Sequence, residues 1–165
     1  MPAFVFGLPL HVLVVHAVVV LVPLAVLGTV VVAVRPAARR RFGWLVVGVT
    51  AAATACVPIA TGSGEDLRDR LVPTDLIRDH AHLGDQLLVF VAVLFAVSTA
   101  LVWFTRHDEP ATASRAPKPL VVTLAVLTVL SAAASGVQVV RIGDSGARAA
   151  WAETHYVEPS PEHRG

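Results

Sequence analysis

The chain has one cysteine, Cys56, in 165 residues. A lone thiol offers no intramolecular disulfide and no thiolate metal site. Charge of one sign is also lacking: 13 Lys and Arg stand against 12 Asp and Glu, and with no strong net charge there is no case for a nucleic-acid partner. The opening MPAFVFG carries no positive charge, and the apolar run that follows is much longer than the h-region of a signal peptide, so a cleaved leader is not expected. No GxSxG, HExxH or phosphate-cradling glycine loop occurs, which leaves a hydrolase without support.

What the chain does have is apolar length. Hydrophobic residues make up 55% of it, and the stretch LPLHVLVVHAVVVLVPLAVLGTVVVAV, residues 8–34, holds 27 residues without a formal charge. About 20 apolar residues cross the ~30 Å hydrocarbon core, so this stretch is a span with turns to spare. Further apolar runs predict an all-α integral membrane four-helix bundle with spans of about 8–34, 44–62, 83–104 and 120–140. They form one transmembrane domain, 1–151, followed by a flexible tail, 152–165. Arg35, Pro36 and the cluster Arg39, Arg40 and Arg41 end the first span, because proline disfavours continuation and the charges resist lipid. The Pro-, Ser- and Ala-rich RHDEPATASRAPKP reads as a flexible connector, and Thr74 after Pro73 as an N-cap. Residues 65–79 read as an interfacial amphipathic segment, Gly143 and Gly146 as a turn, and Trp151 with its alanines as a short interfacial helix.

Lys and Arg in the loops set the expected orientation. Seven, four of them in the short loop of Arg35 to Arg41, flank one side, against six on the other. Short loops near helix ends dominate topology, so the first group is assigned to the cytoplasm and both termini to the outer side of the membrane. Trp44 and Trp103 then lie at the cytoplasmic interface.

A ruler of about 20 residues from each cytoplasmic helix end brings the ionisable residues of the spans to one height. His16 falls at the outer boundary of the first span, with His11 about 7 Å further out at 1.5 Å per residue. Asp85 lies at the boundary of the third span, His82 a turn above and His80 level with His11. Glu65 and Asp66 follow the second span, while Gln138, Arg141 and Asp144 close the fourth. Ionisable groups at membrane depth are rare unless they serve a site. Other polar residues read as bundle interior: Thr50, Thr54 and Thr61 share one helix face, as do Thr128, Ser131, Ser135 and Gln138, and small or hydroxyl residues let membrane helices approach closely. Pro23 and Pro58 predict kinks. His107, His155 and His163 read as solvated surface groups, and Cys56 as a small apolar residue.

GLPLHVLVVHAVVVLVPLA around His11 and His16, the ATGSGED exit of the second span, the HAHLGDQLL entry of the third and VQVVRIGDSGARAAW at the end of the fourth together resemble the widespread bacterial membrane family catalogued as domain of unknown function 2231. The resemblance covers about residues 6–151, and the paired histidines of the first span are its most specific part. Similar sequences usually carry a histidine where this chain has Asp144, and His82 is not a regular histidine position, so the recurrent histidines correspond here to His11, His16 and His80. Some relatives look fused to Rieske iron–sulfur domains, and the resemblance therefore implies a redox setting with a Rieske-type partner.

Three readings of the layer follow. In the first, His11 or His16 and His80 are axial ligands of a b-type haem in an electron-transfer subunit, with Gly84 one turn below His80 giving room and Arg141 meeting a propionate. In the second, His11 or His16 with His80, His82 and a carboxylate such as Asp85, Glu65 or Asp144 holds zinc or copper. In the third, the imidazoles satisfy neighbouring polar groups and the protein is a non-catalytic accessory or assembly subunit. His11 and His16, five residues apart, are rotated by about 140° and cannot both face one iron. His80 and His82, two apart, diverge on a regular helix.

Overall fold

The computed structural model describes residues 4–5, 7–105 and 117–152. The expectations for the connector around His107 and for the tail with His155 and His163 fall outside these residues. Four helices dominate: α1 (Leu10–Val34), α2 (Pro36–Arg68), α3 (Asp75–Thr105) and α4 (Lys118–Trp151). Each is long and apolar enough to cross a membrane. An antiparallel ribbon of β1 (Phe4–Val5) and β2 (Leu8–Pro9) precedes them. Gly7, at φ 80°, takes the positive backbone angle its turn needs, a conformation that costs glycine nothing.

Local chemistry sets the helix ends. Arg35 alone separates α1 from α2, extended at φ −118°, and Pro36 follows at the first helical position, where its missing N–H is no loss. The arginine cluster is therefore the first turn of α2 and not a loop. Arg39 is buried, and its guanidinium donates to the carbonyls of Val32 and Ala33 at 3.3 Å each. These are last-turn carbonyls of α1 that have no partner within the helix, at the negative end of its dipole. At the other end α2 runs to Arg68, and a short turn leads to Thr74, whose hydroxyl accepts from the Ile77 N–H at 3.3 Å to cap α3.

The helices alternate in direction, and α1 packs on α2 and α4, as α3 does, leaving α1 and α3 on a diagonal. The core is small and aliphatic, with Val22, Ala25, Ala53, Val57, Leu87 and Val91 in one cluster and Cys56 partly buried against it. Thr29, Thr50, Thr128 and Ser135 are also fully buried. Each hydroxyl donates to a carbonyl four residues back, at 2.7 to 2.8 Å. Within the apolar spans, Thr54 reaches across to the Val91 carbonyl at 3.4 Å and Gln138 to the Leu83 carbonyl at 2.8 Å. The larger apolar residues, such as Leu27, Leu45, Val89 and Leu130, face outward. In lipid there is no hydrophobic gain from burying them, and packing plus interhelical hydrogen bonds holds the bundle.

Pro23 and Pro58 lie inside continuous helices. Gly143 and Gly146 do not turn the chain; α4 continues through them, and Trp151 ends the same helix. At 1.5 Å per residue the 33 residues of α2 and the 34 of α4 reach about 50 Å, well beyond a ~30 Å core. In α4 the surplus follows the apolar run, on the side where α1 begins, whereas in α2 it is divided between the two ends. Trp44 and Trp103 meet edge to face at the opposite end, centroids 6.1 Å apart.

Candidate functional site

His11 lies in the first turn of α1, half-buried, with Nδ1 2.9 Å from the Ala60 carbonyl of α2. A carbonyl only accepts, so Nδ1 carries the hydrogen and donates it. In the neutral ring Nε2 is then left with a lone pair. The same carbonyl accepts from Ser63 Oγ at 3.0 Å. A Cβ added at Gly64 would stand 3.0 Å from His11 Cε1 and Nδ1, so the ring rests on the α2 backbone because residue 64 has no side chain.

The second hairpin treats its histidine in the same way. His80, in the early turns of α3 and ahead of the apolar run that starts at Leu83, has Nδ1 3.1 Å from Ser145 Oγ of α4. Ser145 itself donates to the Ile142 carbonyl at 2.9 Å. Its one hydrogen is thereby used, so His80 Nδ1–H donates to the hydroxyl oxygen and Nε2 is again the unprotonated nitrogen. A Cβ at Gly146 would stand 3.0 Å from His80 Cε1. Each imidazole thus has its Nδ1 acceptor and its glycine seat on the next helix.

The two rings meet across the diagonal, centroids 6.4 Å apart and planes at 80°. A histidine whose Nδ1–H is fixed by an oxygen acceptor, with Nε2 left as the donor atom, is the arrangement found around ligating imidazoles.

The other candidates stand outside this pair. His16 is exposed, and its Nδ1 bonds the Val12 carbonyl of its own helix at 2.6 Å. His82 is exposed beside Gln86, Nδ1 to Nε2 3.3 Å, and Asp85 and Glu65 are exposed too. Gly84 is half-buried, with no atom within 4 Å of where a Cβ would be. Arg141 is exposed and lines two surface grooves. Asp144 pairs with Arg148 at 2.9 Å. Among the described residues no three His, Cys, Asp or Glu side chains gather as metal ligands. The shared layer therefore narrows to His11 and His80. A common height does not imply a common direction, and His16 and His82 point away on their own helices.

Sequence reasoning missed Ala60, Ser145, Gly64 and Gly146. A backbone carbonyl leaves no mark in a sequence, Gly146 reads as part of a turn, and Gly64 draws no reading of its own. The usable signal was their position: small residues on α2 and α4 at the height of two large rings.

These observations define a multi-pass membrane protein, a four-helix bundle with a histidine pair where α1 begins and α4 finishes. The chain belongs to the family described as predicted membrane protein (DUF2231), whose model matches residues 7–159. No curated protein and no solved structure matches it.

Proposed function

We propose that His11 and His80 are the axial ligands of a b-type haem in a small electron-transfer subunit. The observation that carries this reading is the pair itself: two imidazoles from diagonal helices, each held by an Nδ1 acceptor, with centroids 6.4 Å apart. Two metal–nitrogen bonds of about 2 Å on either side of one ion, with each centroid a little more than an ångström behind its nitrogen, give a spacing of roughly 6 Å. Ligand count favours haem over a bare ion. Zinc needs three or four protein ligands, whereas the macrocycle supplies all of iron's ligands except the two axial ones.

The group would supply reversible one-electron chemistry; the residues would hold and orient it. Ala60 and Ser145 would fix the tautomers and ring planes. The arginine distribution favours the outer face of the bacterial cell membrane for this end. The partner is then an outer-side electron carrier, and the family resemblance suggests a Rieske-type protein.

The test is the visible spectrum of the full chain, purified in detergent from haem-replete cells. A Soret band that shifts on dithionite reduction, is lost in His11→Ala and His80→Ala and is kept in His16→Ala and His82→Ala is the expected result. A colourless protein that takes up no added haem overturns the proposal. Stoichiometric zinc or copper in that protein would support the metal reading, and its absence an accessory role.

A further inference from the structure

Arg141 belongs to a different site. Between α1 and α4 runs a groove of about 480 Å³ lined by Val26, Ala132, Ala133, Gly136, Val137 and Val140, with Arg141 the one charged group on its wall. Gly136 forms part of its floor, where a Cβ would make only an ordinary contact with Val26 Cγ1 at 3.7 Å and a larger side chain would project into the channel. A smaller hollow of about 230 Å³ between α3 and α4 shares Arg141 and adds Asp144, Ser145 and Arg148. Arg148 is paired with Asp144 at 2.9 Å, whereas no ion pair joins Arg141 to another described residue.

Depth gives the two parts of the groove their meaning. Arg141 lies 23 residues beyond Lys118, a rise of roughly 35 Å, which sets its guanidinium at headgroup height while Ala132 to Val140 stay among acyl chains. A guanidinium is planar and forked, suited to two oxygens of one phosphate. An arginine snorkelling from a smooth helix would meet any passing headgroup; this one stands over an apolar channel along the same helix.

We propose that the α1/α4 groove binds one anionic phospholipid, with its phosphate on Arg141 and one acyl chain lying over Gly136. Charge complementarity selects this occupant over a second copy of the chain, whose apolar helix would leave the guanidinium without an anion.

Native mass spectrometry of the full chain in detergent, titrated with phosphatidylglycerol or phosphatidylcholine of the same acyl chains, tests it. One phosphatidylglycerol should bind about fivefold more tightly than phosphatidylcholine, the contribution of one arginine near an anionic headgroup. Arg141→Gln should abolish that preference, while Arg148→Gln should retain it. Gly136→Leu, which fills the channel, should weaken both lipids, and inorganic phosphate should not displace the bound lipid. Equal affinity for the two lipids, a preference that survives Arg141→Gln, or displacement by phosphate alone overturns the proposal. A lipid-free dimer that Gly136→Leu dissociates would assign the groove to a second copy instead. Because Arg141 is exposed, its glutamine variant decides the matter even if Gly136→Leu fails to fold.

Discussion

The His11 and His80 rings meet with centroids 6.4 Å apart and planes at 80°, although their helices are diagonal in the bundle and 69 positions separate them in the chain. Diagonal helices touch little, so this pair is the principal polar meeting point across the bundle axis. The backbones of α2 and α4 must approach both rings, and Gly64 and Gly146 make that possible.

That dependence predicts an asymmetry among glycines. Gly64→Ala and Gly146→Ala introduce a Cβ about 3.0 Å from an imidazole, and overpacking of that kind costs about 1–3 kcal/mol. Gly62→Ala meets nothing within 4 Å and should instead stabilise α2 by up to about 1 kcal/mol through helix propensity. Reversible unfolding in detergent measures the difference; equal effects at positions 62 and 64 would contradict the packing described.

Ser145→Ala removes the hydroxyl that accepts from His80 Nδ1–H and leaves the Ile142 carbonyl as the ring's remaining polar partner. Loss of such an outer-shell partner typically weakens metal-centre binding by about 10–100-fold. On the proposed haem reading, titration of the purified protein with haem should show a weakening of that order, with the fold unchanged by circular dichroism. Undiminished affinity would mean that the serine does not orient a ligand.

Arg39→Ala should be the one costly change in the arginine cluster. It strips two donors from the Val32 and Ala33 carbonyls, a loss of about 1.5–3 kcal/mol for hydrogen bonds to a charged group. Arg40→Ala, at an exposed site, should stay within about 0.5 kcal/mol. Comparable losses in the two variants would show that the buried guanidinium does not cap α1.

Gln138→Leu keeps side-chain bulk but breaks the bond from α4 to the Leu83 carbonyl. Interhelical hydrogen bonds in membranes average about 0.6 kcal/mol and reach about 1.7, so a loss within that range is expected in a denaturation titration. A much larger loss would point to a polar network around Gln138 beyond this one bond.

The spans were legible because uncharged runs longer than a bilayer have few other uses, and Thr50, Thr128, Ser135 and Gln138 announced the interior by their helical spacing. Thr74 was readable as a cap from its place before the apolar run. The height of the histidines followed from counting residues. Their direction did not, since a ring faces the axis or the lipid according to helix rotation, which only the packed bundle sets. Gly146 misled because glycine punctuates helices in water, whereas between packed helices it admits a neighbour, here the His80 ring; Gly143 faces open space and is simply carried along in α4. Arg39 misled for the opposite reason: a charge beside a span suggests solvent, yet helix ends leave carbonyls that a guanidinium can reach.

Arg35, as the sole residue between two antiparallel helices, has a mechanical consequence. With no slack in the connection, α1 cannot slide lengthwise against α2, and the freedom left to the pair is a pivot about that corner. Small angular changes there become the largest displacements at the far tips, where His11 and Gly64 stand. A parting of those tips would turn about the corner at Arg35, at the opposite end of the bundle.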